Sequence, residues 1–258
     1  MNWEKELYPV GEQPLDRFPS GISQTAIFRT IGFVGDSLSS GEFESCDSDG
    51  NRSYHDYYEY SWGQYLARKN GLTAYNFSRG GMTTKEYIES FADANRFWRP
   101  EVACQAYVIA LGVNDLSWAN IPLGAAADVN PENWRGNAKT FAGYYGAIVS
   151  RLKEIQPRAK FFFVTIPREG NAEDEKRLAH ARLLHALAEV FDNSYVIDLH
   201  QYGPVYDDRF KERFFLYGHM NASGYIFTAN LVDAYIDYLV RHNPDDFRRV
   251  PYIGTELK

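Results

Sequence analysis

Five short apolar runs recur along the chain, separated by longer stretches with helical spacing. The first, about Ala26 to Val34, ends in Thr30-Ile31-Gly32-Phe33-Val34 and stops at Gly35-Asp36-Ser37. A continuous apolar run bounded by turn residues reads as a strand buried on both faces. Similar runs at Thr73 to Phe77, Ala106 to Leu111, Lys160 to Ile166 and Ser194 to Leu199 predict four more strands. Helical patterns are expected over about Ser61 to Asn70, Thr84 to Asn95, Pro131 to Ile155 and Glu173 to Phe191. A last helix starts near Asn221 and carries Tyr225, Ala229, Val232, Ile236 and Leu239 on one stripe, a core-facing spacing. Strands alternating with helices predict right-handed crossovers and an α/β fold whose parallel sheet is covered on both faces.

Two segments fall outside this alternation. Residues 1–25 carry Pro9, Pro14 and Pro19 among scattered apolar residues and are expected to form an extended arm. Residues 41–60 are polar and tyrosine-rich, too long for an ordinary turn, and are expected to form an active-site insertion. A single domain over residues 1–258 accounts for the length. Hydrophobic residues at 45% supply a full core, and no apolar run reaches the length of a membrane span. Met1-Asn2-Trp3-Glu4-Lys5-Glu6 lacks the features of a signal peptide, so a cytoplasmic protein is expected. Twenty-seven basic against 34 acidic residues give a net charge of −7 without a basic cluster, which argues against nucleic acid as a partner. Cys46 and Cys104 read as free thiols. Aromatic content is 16%, with 19 Tyr, and rings in loops suit a sugar-binding cleft.

The candidate chemistry lies at the ends of the strands. Ser37 ends the first, Gly80-Gly81 the second and Asn114 the third, and in a doubly wound sheet such ends converge on one crevice. Acyl transfer from an ester needs a nucleophile, a base and donors for the oxyanion. Singly, each stretch has a plain structural use: Gly-Asp-Ser and Gly-Gly as turns, Asn114-Asp115 as an Asx turn. Six histidines compete for the base: His55, His180, His185, His200, His219 and His242. His219 stands out because it precedes a helix that Asn221 can cap, and the positive end of that helix favours a neutral imidazole.

Gly35-Asp36-Ser37-Leu38 resembles the first block of the SGNH (GDSL-type) hydrolases. Asn76 through Thr83 is similar to their second block, Gly112-Val113-Asn114-Asp115 to their third, and His219 with Asn221 and Gly224-Tyr225 to their last. The resemblance spans about residues 26 to 240. It implies a flavodoxin-like three-layer α/β/α sandwich with a five-stranded parallel sheet, no metal, no cofactor and an acyl-serine mechanism. Ser37 would be the nucleophile and His219 the base. The Ser37 N–H, Gly81 and Asn114 would form the oxyanion hole, Gly81 being chosen over Gly80 by counting from Asn76 and Thr83. One position departs from the pattern: Leu216 stands three residues before His219, where the family carries an aspartate. A main-chain carbonyl is therefore expected to hold the imidazole in a Ser–His dyad. Asp207 and Asp208 are the alternative third members, with Glu42 and Glu44 of the insertion as further candidates.

The expected activity is hydrolysis of a carboxylic ester with a short acyl group, such as acetyl on a carbohydrate. The expected partner is a small-molecule ester, with no membrane and no nucleic acid. Two alternatives share the fold: a non-catalytic carbohydrate- or ligand-binding protein, for which Leu216 is the motive, and an O-acyltransferase.

Overall fold

The computed structural model describes residues 2–250. Nine strands occur among the described residues, in chain order: β1 Thr30–Gly35, β2 Glu42–Cys46, β3 Arg52–Asp56, β4 Thr73–Ser78, β5 Ala106–Ala110, β6 Lys160–Val164, β7 Ser194–Ile197, β8 Phe215–Leu216 and β9 His219–Met220. Five of them form one sheet in the order β4-β1-β5-β6-β7, with every neighbouring pair parallel. The principal helices are α1 Trp62–Asn70, α2 Phe141–Ile155, α3 Asp174–Val190 and α4 Ala222–His242. The expected α/β/α sandwich is therefore the observed one.

Alternation along each strand explains the two layers. Phe161 and Phe163 of β6 point into a cluster with Phe141, Tyr145 and Leu184 of α2 and α3. Phe162, one residue out of phase, points the other way, among Leu66 of α1 and Tyr225 and Ile236 of α4. Side chains on a strand change face at every residue, so a run of three phenylalanines serves both cores. All three rings are fully buried, and truncating such a ring to alanine typically costs about 3–5 kcal/mol.

Several elements differ from expectation. Pro131–Gly136 is a 3-10 turn, and α2 begins only at Phe141. The Thr140 hydroxyl accepts a hydrogen bond from Gly143 N–H at 3.2 Å and so caps a new helix. The helix expected near Thr84 to Asn95 contains a π-helical stretch at Tyr87–Phe91. Residues before β1 are not uniformly extended, because Trp3–Leu7 forms a helical turn. Glu12 then binds the Arg241 guanidinium through both oxygens, at 2.7 and 2.8 Å.

The largest difference lies in residues 41–60. Most of this segment is an antiparallel hairpin, β2 paired with β3, with Glu42 opposite Asp56 and Cys46 opposite Arg52. Asp47 closes its tip by accepting hydrogen bonds from Asp49 N–H and Asn51 N–H, an Asx turn. At its base, Tyr225 of α4 donates its hydroxyl to the Glu42 carbonyl at 2.6 Å. The hairpin is thereby tied to the last helix, above the sheet's carboxyl edge.

Candidate active site

Strand register brings the candidate residues together. Gly35 pairs with Ser78 on one side and Ala110 on the other. Ser37, Gly80-Gly81 and Asn114 follow these three residues within a few positions, so they leave the same edge of the sheet. Ser37 opens a helical turn, Ser37–Ser40, capped by the Asp36 carboxylate on Leu38 N–H at 3.1 Å. The Ser37 side chain is half-buried and its hydroxyl has no hydrogen-bond partner among the described residues. Asp36 is almost fully buried. Burial pushes its carboxyl up to about 6, with the Leu38 N–H pulling down and Asp115 pushing up.

Gly81 sits at φ +70°, a conformation that favours glycine, with open space where a side chain would stand. Asn114 lies in the helical turn Val113–Ser117. Its orientation follows from donor chemistry: an indole N–H can only donate, and Trp118 Nε1 lies 3.0 Å from Asn114 Oδ1. The carboxamide NH₂ therefore turns to the Met82 carbonyl at 3.0 Å, leaving one N–H for a ligand. Buried Asp115 accepts from Thr84 N–H at 3.0 Å and locks the second strand end to the third.

His219 stands on β9, which pairs with β8 across a tight turn that includes Tyr217 at φ +59°. Its neighbour Met220 is buried in the core, and Asn221 caps α4 through Gly224 N–H at 2.9 Å. The imidazole lies between two carboxylates. Nδ1 is 3.0 Å from Glu44 Oε2, and Nε2 is 3.0 Å from Glu42 Oε1. Both glutamates come from β2, two residues apart, so the pleat turns them to the same face.

Glu44, the carboxylate at Nδ1, is held on several sides. Its side chain is 1% exposed, accepts the Gly218 N–H at 2.9 Å and meets Arg52 of β3 at 2.7 Å. Burial works to raise its carboxyl, but hydrogen bonds from His219, Gly218 and Arg52 outweigh burial and hold it below the usual carboxylate range. The main-chain carbonyl expected on the imidazole is thus replaced by a side chain. Asp207 and Asp208 are not brought to His219. Asp207 caps the helix Asp208–Phe214, accepting from Phe210 N–H at 2.9 Å, and Asp208 is exposed in its first turn. Leu216, in the position usual for the acid, is exposed beside His219.

Glu42 meets the other ring nitrogen. Its Oε2 occupies the space beside Gly80, where a Cβ would fall 2.0 Å away. Burial pushes its carboxyl up, with Asp56 and Glu44 adding to the rise and His219 opposing it. The remaining histidines are engaged elsewhere or buried: His185 with Asp198 at 2.8 Å, His242 with Glu12 at 2.8 Å, His55 with Ser45 at 3.1 Å.

Two surfaces neighbour the candidate residues. On one side an apolar hollow of about 80 Å³ opens beneath the serine turn, lined by Leu38, Val113, Ile166, Pro167, Met220 and Val232 among others. On the other, Tyr54, Tyr217 and Trp118 are exposed. Tyr54 meets the His219 ring edge-on at 5.6 Å, and Arg52 lies over Tyr217 at 5.4 Å.

The model of the GDSL-like Lipase/Acylhydrolase family matches residues 33–226. Among solved structures, the chain is similar to a family two carbohydrate esterase from Clostridium thermocellum in complex with cellohexaose. Identity is 15% and the TM-score 0.56, over 88% of this chain and 66% of that one. It is also similar to a carbohydrate esterase family 2 enzyme with a carbohydrate-binding domain from Corynascus thermopiles (Myceliophthora fergusii). There identity is 17% and the TM-score 0.55, over 86% and 68% of the two chains. A family 3 carbohydrate esterase from Clostridium thermocellum gives 14% and 0.51, over 85% and 96%. At these identities the likeness is one of fold, and no curated protein matches the sequence. The family match covers both the serine turn and the histidine turn, and this chain belongs to the GDSL-like lipase/acylhydrolase family.

Proposed function

We propose that this protein hydrolyses carboxylic esters of short acyl groups through an acyl-serine intermediate, with acetylated carbohydrates as the substrate class. As Ser37 Oγ attacks the carbonyl carbon, its proton passes to His219 Nε2. The oxyanion that forms takes hydrogen bonds from Ser37 N–H, Gly81 N–H and the free N–H of Asn114. The imidazolium then returns the proton to the leaving alkoxide, and the alcohol departs. A water repeats the sequence on the acyl-enzyme, releasing the acid and restoring Ser37. Glu44 fixes the tautomer with the proton on Nδ1 and stabilises the imidazolium by its negative charge.

The observation that carries this reading is the buried Glu44 carboxylate 3.0 Å from His219 Nδ1. A structural histidine has no need of a carboxylate that is itself clamped by a backbone N–H and an arginine. The apolar hollow beside Ser37 suits a short acyl chain, and the exposed rings of Tyr54, Tyr217 and Trp118 suit a sugar face. The carbohydrate esterases of the same fold act as precedent for such a substrate.

One observation favours a second reading, a ligand-binding protein without catalysis: Nε2 of His219 is engaged by Glu42 and not by Ser37. A serine-directed organophosphorus reagent separates the two. Covalent labelling at Ser37, with acetate released from acetylated sugars and lost in Ser37→Ala, is the expected result. An unlabelled Ser37 and no release from any ester would establish the binding protein. Transfer of acetyl to an added sugar in place of acetate release would establish an acyltransferase.

A further inference from the structure

Nε2 of the imidazole has room for one hydrogen bond, and in this structure the Glu42 carboxylate stands 3.0 Å from it as an ion pair, without the angle of a hydrogen bond. The carboxylate and the serine therefore compete for that nitrogen. Turnover by the proposed reaction therefore requires the Glu42 carboxylate to give up its place beside Nε2. Where the carboxylate can go is restricted by its surroundings. Its side chain is only 14% exposed. The charged groups facing it are His219 on β9, Glu44 on its own strand and Asp56 on β3, and of these only His219 can be cationic. Arg52, the nearest arginine on the hairpin, is bound to Glu44. Tyr225 of α4 donates to the Glu42 backbone carbonyl and not to its carboxylate. Asp36, at the end of β1, adds a further acidic group within electrostatic reach of His219. Among the charged groups around it, a carboxylate released from Nε2 thus finds only other carboxylates.

We propose that Glu42 is a specificity-determining residue, whose carboxylate is passed from His219 to a hydroxyl of the substrate's alcohol, so that esters of polyols are turned over in preference to esters of simple alcohols. The geometry supplies the reason. The carboxylate spans from His219 Nε2 to Gly80, which is the side from which the alcohol leaves, since the base must reach the departing oxygen. An alcohol bearing a second hydroxyl near its ester oxygen offers the Glu42 carboxylate an O–H donor. An alcohol without one leaves a desolvated carboxylate unpaired, and a site shaped around a hydrogen bond rejects the analogue that lacks it. This rests on the proposed esterase reaction and adds the alcohol side of its specificity.

The test uses two acetate esters of nearly the same shape, ethylene glycol monoacetate and propyl acetate, which differ by a terminal hydroxyl against a methyl. In the wild-type protein, kcat/KM should favour the glycol ester by about 10- to 100-fold, the range for a hydrogen bond to a charged group. Glu42→Ala should bring the ratio close to one, raising kcat/KM for propyl acetate while lowering it for the glycol ester. Glu42→Gln, which keeps the volume and removes the charge, should give an intermediate ratio. A merely structural role would lower both esters together and leave their ratio unchanged, and that result would overturn the proposal. So would a wild-type ratio near one. If Ser37→Ala retained hydrolysis of both esters, the esterase mechanism itself would fall and this inference with it.

Discussion

The sheet edge and the β2–β3 hairpin contribute to one site by different physics. Along the edge, Ser37, Gly81 and Asn114 are held by parallel strands buried on both faces, and their positions follow from the register of Gly35 with Ser78 and Ala110. On the hairpin, Glu42 and Glu44 are held by a two-stranded ribbon whose β3 strand is exposed throughout, secured by Tyr225, Arg52 and Gly218. In the proposed reaction the edge supplies the nucleophile and the oxyanion donors, which need rigidity. The hairpin supplies the carboxylates around His219, Glu44 clamped and Glu42, by our proposal, releasable. A carboxylate absent from its usual place in the chain has thus been replaced by one from a distant segment that meets the same nitrogen.

The largest effects should come from breaking the edge and its base. Ser37→Ala and His219→Ala should each reduce kcat by on the order of 10⁶-fold, the loss seen when a hydrolase of this chemistry loses nucleophile or base. The double variant should be little worse than either single one. An additive loss in steady-state kinetics would mean that the two residues act independently. Asn114→Ala should cost roughly 100- to 1000-fold in kcat, the effect of one oxyanion donor. A change in KM alone would reassign Asn114 to substrate binding.

A smaller effect should appear in stability and not in rate. Burial raises the Asp36 carboxyl to about 6 against an ordinary value of 3.8. The folded protein therefore holds its proton more tightly than the unfolded chain, and ionising Asp36 costs stability above pH 6. Asp36→Asn, which keeps a capping oxygen for Leu38 N–H, should stabilise the fold at pH 7 by on the order of 2–3 kcal/mol. That gain should fade as pH falls from 6 towards 3.8, where both states bind the proton. Urea denaturation at pH 7 and pH 4 checks the sign, and a gain that grew on acidification would contradict it. The smallest effect is expected at Asp207→Asn, which alters a helix cap remote from His219 and should leave kcat within about twofold. A collapse of activity there, with helicity intact by circular dichroism, would return the orienting role to the loop before α4.

The same contrast explains how much was legible in the sequence. Buried parallel strands are written as continuous apolar runs, so the ends carrying Ser37, Gly81 and Asn114 could be read directly, and the block motifs reinforced them. The hairpin strands are polar and short, and nothing in Arg52 to Asp56 is apolar enough to announce β3. The available signal was Glu42-Phe43-Glu44, an alternation that fits a strand with both carboxylates on one face, but a period of two over three residues is weak. Choosing Glu44 over Asp207 required knowing that the hairpin folds back over His219, a contact between residues 175 positions apart. The break before α2 was more accessible, since Thr140 with Gly143 is an ordinary helix start.

The role of Glu44 is tested most directly by the kcat of Glu44→Gln on a short-chain aryl ester such as p-nitrophenyl acetate, measured near neutral pH with the melting temperature recorded alongside. Glutamine keeps the shape and an oxygen for the Gly218 N–H but removes the charge that stabilises the imidazolium and permits the wrong tautomer. An orienting Glu44 predicts a loss approaching the roughly 10⁴-fold seen when a triad carboxylate is neutralised, at little change in melting temperature. Activity within tenfold of the wild type, in a variant that remains folded, would contradict it.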